Sequence, residues 1–176
     1  MKLKSFSQII LIGITGVGKT TVGKYLSEYI KSEFIDLDKS IEQRCGVDIP
    51  TIFEIEGEAG FRLRETNELM TILAQKSSIV LSVGGGCILS DENRQLMATE
   101  NTFVVQLFAN IEILVERLSK SVAQRPLFHK VDVETKIREL FKARQELYDS
   151  ISDIKINTSF LKPNQVVETI VKNIQL

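Results

Sequence analysis

Residues Gly13–Thr20 read GITGVGKT and meet the pattern G-x-x-x-x-G-K-[ST] at every fixed position. Such a loop works only between a strand and a helix, and both flanks supply them. Ile9-Ile10-Leu11-Ile12 is a short apolar run of strand type. From Thr21 to Ser32 the apolar residues Val22, Leu26, Tyr29 and Ile30 recur at helical spacing. Gly16 and Gly18 let successive backbone N–H groups converge on an anion, and the helix N-terminus behind them adds partial positive charge. Lys19 supplies a full charge to β- and γ-phosphates, and the Thr20 hydroxyl is a Mg²⁺ ligand in such loops. The expected nucleotide-binding set is Gly16, Val17, Gly18, Lys19, Thr20 and Thr21, with a nucleoside triphosphate as ligand and Mg²⁺ as cofactor.

Further strand-like runs follow at Phe34–Leu37, Ile79–Val83, Thr102–Phe108 and Ile154–Ile156, separated by helical patterns. This alternation predicts an α/β fold, a five-stranded parallel sheet with helices on both faces. Ser90 before Asp91-Glu92 reads as a helix cap with an acidic first turn. Asp48 before Pro50, and Pro163, mark two more helix starts. Between helices at Asn110–Ser119 and from about Glu134 lies KSVAQRPLFHKVDV, a connection long enough to suggest a lid over a site. With 176 residues and no repeat or linker, a single domain over 1–176 is expected.

Twenty-two basic and 23 acidic residues give a net charge of −1, so no global field recruits nucleic acid or an anionic membrane. No apolar run approaches a membrane span, and MKLKSFSQIILIGITGVG reads as a first strand rather than a leader. Cys45, Cys87 and the lone His129 lack metal-site spacing, and reduced thiols fit a cytoplasmic protein. The expected state is a monomer acting on small molecules.

The strings D-x-x-G and N-K-x-D, needed for a guanine-nucleotide switch, are absent. The acidic pair instead closes the second strand, as Asp36-Leu37-Asp38. Asp36 is suited to order Mg²⁺ through water, and Asp38 to accept hydrogen bonds from substrate hydroxyls. Paired helix-capping carboxylates are the alternative for both. Arg62 has Glu58 four residues before it and Glu65 three after; these neighbours either fix its guanidinium or form exposed pairs. Arg144 falls on the stripe of Leu140, Phe141 and Tyr148, where a cation must snorkel outward or meet an anion. Two arginines from different helices suit a planar carboxylate. Gly84-Gly85-Gly86 ends the third strand, where open α/β sheets bind ligands, and three glycines allow close backbone approach. Arg125, in the long connection, is a cation positioned to fold over the transferring phosphoryl group.

GITGVGKTT, FIDLDKSIE, GEAGFRLRE, SVGGG, QRPL and ARQELY, in that order, resemble the shikimate kinases across essentially the whole chain. The resemblance implies a three-layer P-loop kinase fold with a lid near 120–133, and transfer of the ATP γ-phosphoryl to the 3-hydroxyl of shikimate. It implies contact of Asp38 with shikimate near the attacking oxygen, its carboxylate held by Arg62 and Arg144, and Arg117 near adenine. Lys19, Asp38 and Arg125 would then be the catalytic residues; Gly84, Gly85 and Gly86 join Asp38 and the two arginines around the substrate; Thr20 and Asp36 attend the metal. The chain departs from the family in the loop NTSFLKPNQ, where Phe160 and Leu161 stand about where a basic residue often helps hold adenine. It departs also at Phe128, in place of a smaller aliphatic residue. Two rivals remain open: a kinase for another polyol acid of the gluconate type, and a module that binds ATP without transferring phosphate.

Overall fold

The computed structural model describes residues 7–75, 77–120 and 133–174. Five strands, β1 (Gln8–Ile12), β2 (Glu33–Asp36), β3 (Ile79–Ser82), β4 (Thr102–Phe108) and β5 (Ile154–Asn157), form one parallel sheet in the order β2-β3-β1-β4-β5. The helices are α1 (Lys19–Ile30), α2 (Leu37–Cys45), α3 (Ile49–Leu73), α4 (Asp91–Met97), α5 (Ile111–Ser119), α6 (Val133–Ile151) and α7 (Pro163–Ile174), with a 3-10 turn at Cys87–Leu89. Every residue of β1 is buried, as a central strand covered on both faces requires. Ile10 pairs with Leu81 on one side and Val104 on the other. Helices α1 and α7 pack together, as do α5 and α6. No helix among the described residues is long and apolar enough to cross a membrane.

Three expected helix starts are present. The Ser90 and Asp48 side chains cap α4 and α3, accepting from the N–H groups of Asn93 and Thr51, and α7 begins at Pro163. Asp36, suited by sequence to order a metal, also caps α2 by accepting from the Lys39 N–H. The second strand runs from Glu33 to Asp36, one residue earlier at each end than its expected run Phe34–Leu37. Leu37 is the first residue of α2, because the Asp36 carboxylate accepts the Lys39 N–H and turns the chain into helix. α1 likewise begins at Lys19 rather than Thr21, so the last residues of the glycine-rich motif are already helical.

The strand order brings the carboxyl ends of β1, β2 and β3 together, beside the C-terminal half of α6. α2 is fastened to α3 at Glu68, which accepts from Ser40 Oγ at 2.6 Å and pairs with Arg44 Nε at 2.7 Å. α3 is broken at Gly57, whose φ of 68° and ψ of −175° are not helical.

Candidate active site

α1 opens at Gly18, in the left-handed region at φ 96°, with no side-chain cap. No capping side chain accepts from its first turn, unlike those of α2, α3 and α4, which suits a helix start that meets phosphate. Gly16, at φ 86°, shapes the same loop. Lys19 Nζ donates to the carbonyls of Gly13 at 2.8 Å and Ile14 at 3.1 Å, which holds the ammonium over the loop. The Thr20 hydroxyl donates to Asp36 Oδ2 at 2.9 Å. An alcohol and a carboxylate thus meet at the mouth of the loop, the hard oxygen donors Mg²⁺ selects, so these residues fit the metal.

Opposite the loop, each of three consecutive glycines abuts a different charged side chain. A Cβ on Gly84 would come within 2.9 Å of Asp38 Oδ1, one on Gly85 within 3.6 Å of Arg144 Nη1, and one on Gly86 within 2.8 Å of Arg62 Nη1. Burial, helped by the neighbouring Asp36 charge, pushes the Asp38 carboxyl above its ordinary range despite Lys19 and Arg62.

Arg62 is not an exposed-pair arginine. Its Nη1 donates to Glu65 Oε2 at 2.8 Å, and Glu65 is only 1% exposed; its Nη2 reaches Glu58 at 3.3 Å. Burial draws the guanidinium pKa down, and the Glu65 and Glu58 charges more than offset this. Burial raises the Glu65 carboxyl, with Arg62 opposing. Arg144 Nη1 and the Tyr148 hydroxyl both donate to the Gly85 carbonyl, at 2.8 and 2.6 Å. That anchors α6 to the glycine triplet and holds Arg144 at Gly85, one residue before the glycine that Arg62 abuts. Tyr148 appeared in the sequence only as an apolar marker; its place one turn after Arg144 was the available signal.

Arg117 is no surface arginine. It donates to the Thr158 carbonyl at 2.8 Å and the Gly16 carbonyl at 3.4 Å, bridging the phosphate loop and the β5–α7 connection. Thr158 Oγ1 donates to the Val17 carbonyl at 2.9 Å. Nothing local in the sequence marks Thr158 for this. Phe160, in the same connection, is 80% exposed. Cys87 is buried beside Asn93 with its thiol held well above the ordinary range by burial, which agrees with a bystander role. Arg125, Phe128, His129 and the core of the expected lid lie outside the described residues.

A phosphate loop beside a carboxylate and two arginines at the carboxyl end of a parallel sheet is the arrangement of a P-loop kinase for a small acidic acceptor. The family model for shikimate kinase matches residues 15–175. A shikimate kinase of Francisella tularensis subsp. novicida is 45% identical over 162 residues, 92% of this chain and 91% of that protein. The solved shikimate kinase of Acinetobacter baumannii in complex with shikimate superposes with a TM-score of 0.90 at 36% identity, covering 98% of this chain and 95% of that one. The chain belongs to the shikimate kinase family, and is a phosphotransferase with an alcohol acceptor. A gluconokinase from Sinorhizobium meliloti, with a TM-score of 0.64 at 14% identity over 99% of this chain and 94% of that one, shares the fold alone.

Proposed function

We propose that this protein, a cytoplasmic monomer of one domain over residues 1–176, transfers the γ-phosphoryl group of ATP to the 3-hydroxyl of shikimate. The products are shikimate 3-phosphate and ADP. The observation that carries the reading is the contact of Gly84, Gly85 and Gly86 with Asp38, Arg144 and Arg62 in turn. A ring acid seated on that triplet meets two guanidinium forks at its carboxylate and one carboxylate at its hydroxyls.

In this mechanism Asp38 orients the acceptor hydroxyl and takes its proton as the oxygen attacks the γ-phosphorus. The bond from that phosphorus to the bridging oxygen breaks, and ADP leaves with the electron pair. The α1 N-terminus and Lys19 hold the phosphates in line and stabilise the charge on the transferring group, and Arg125 is assigned to the same charge. Arg117 borders the nucleotide from the adenine side. Thr20 and Asp36 would hold Mg²⁺, which when bound neutralises charge on the β- and γ-phosphates.

The test is ADP release measured with ATP, Mg²⁺ and either shikimate, gluconate or no acceptor, followed by NMR of the phosphorylated product. Shikimate-dependent release with phosphate on the 3-oxygen is expected. Turnover of gluconate without shikimate, or ATP binding with no acceptor-stimulated release, would overturn the reading.

A further inference from the structure

The break in α3 is a folded corner, and its geometry bears on how Arg62 is aimed. In a straight helix, residues eight apart lie about 12 Å apart along the axis and about 80° apart around it. Here two such pairs touch. The Phe53 and Phe61 rings have centroids 4.7 Å apart, and Arg64 grips Glu56 with two parallel bonds, Nε to Oε2 at 2.7 Å and Nη2 to Oε1 at 2.6 Å. Gly57 supplies the turn with a backbone conformation that essentially only glycine adopts. Gly60 supplies the close approach, since a side chain there would overlap Glu56 Cβ.

Arg62 lies within this corner. Its Cζ is 5.3 Å from the centroid of the Phe61 ring, and its partner Glu58 is the first residue after the break. Arg64 Nη1 also reaches Cys45 Sγ, at 3.4 Å, at the end of α2. One side chain therefore ties together the limb of α3 before the corner, the limb carrying Arg62, and the helix carrying Asp38.

We propose that Arg64 and Glu56 form a clasp across the Gly57 corner that sets the angle at which Arg62 meets the acceptor carboxylate, making Arg64 a positioning residue for acceptor binding. This rests on the reading of Arg62 as a carboxylate-binding residue. An exposed pair ordinarily contributes little to stability, but a bidentate fork adds geometric definition, and here the cost of losing it falls on the arginine two residues away.

The experiment compares Arg64→Ala, Glu56→Ala, the double variant and the swapped pair Glu56→Arg/Arg64→Glu, with Arg62→Ala alongside. Each single variant should raise the shikimate KM about three- to tenfold while kcat and the ATP KM stay within about twofold. The double variant should be no worse than either single, and the swap should recover part of the loss. Gly57→Ala, whose added methyl meets nothing within 4 Å, should raise the same KM through backbone conformation alone. An unchanged shikimate KM in the single variants, additive losses in the double, or a fall in kcat and ATP affinity alongside a lowered melting temperature would overturn the clasp. Should Arg62→Ala leave the shikimate KM unchanged, the reading of Arg62 fails, and the clasp with it. Should Arg62→Ala raise it while the clasp variants do not, the clasp alone fails.

Discussion

Arg62 lies so close to Gly86 that a methyl group on the glycine would come within 2.8 Å of its Nη1 and 3.0 Å of its Cζ. The guanidinium can move only by straining its bonds to Glu65 and Glu58. Gly86→Ala should therefore displace the fork without opening the core. The shikimate KM should rise about tenfold or more with the ATP KM nearly unchanged, as steady-state kinetics in both substrates will show. Equal losses for both substrates would place Arg62 away from the acceptor.

Asp38 provides a prediction in pH. Burial first, and then Asp36, raise its folded pKa above the ordinary 3.8. As the proton acceptor it must be ionised, so the acid limb of kcat/KM should lie above the ordinary aspartate range, and Asp38→Asn should abolish turnover. A raised carboxyl binds its proton more tightly when folded, so it favours folding below the unfolded pKa and loses that contribution as pH rises through the folded one. Asp38→Asn should accordingly melt higher than the parent at neutral pH. The gap should close as pH is lowered toward 3.8. A variant that melts lower at neutral pH would contradict the assignment.

Lys19 is held over the loop by the Gly13 and Ile14 carbonyls. Lys19→Ala removes a fixed charge from the transferring group, and kcat/KM should fall about 10³-fold or more. Activity within tenfold of the parent in an ADP-release assay would remove Lys19 from the mechanism.

Thr158 tests the nucleotide side separately. Thr158→Val deletes the hydroxyl bonds to the Val17 and Phe108 carbonyls and the one accepted from Arg117 Nη1, but keeps the backbone carbonyl that Arg117 Nη2 uses. Each such bond is worth about 1 kcal/mol, so the ATP KM should rise about fivefold or more, with the shikimate KM unchanged. Isothermal titration with ADP provides an independent check.

The phosphate loop, the five strands and most helix caps were legible in the sequence, because each depends on residues close together in the chain. GITGVGKT is specified by local backbone needs. The capping roles of Ser90 and Asp48 follow from a side chain reaching the N–H three residues on. Leu37 was misread for the same kind of reason. An apolar residue after a strand continues the pattern, and only the bond from Lys39 N–H to Asp36 ends it.

The sequence by itself determined the local elements and the chemical identity of the candidate site: a lysine and hydroxyl for phosphates, carboxylates for a metal and an alcohol, arginines for an acid. Tertiary structure alone decided which of these meet. Glu65 became a buried partner of Arg62 rather than a solvated one, Arg117 became a bridge between the phosphate loop and the β5–α7 connection, whose Val17 and Thr158 are 141 residues apart, and Tyr148 became an anchor on Gly85. The physical reason is that a charge's role depends on what surrounds it once water is removed. That environment is assembled by strand order and helix packing, between residues that local sequence patterns do not link.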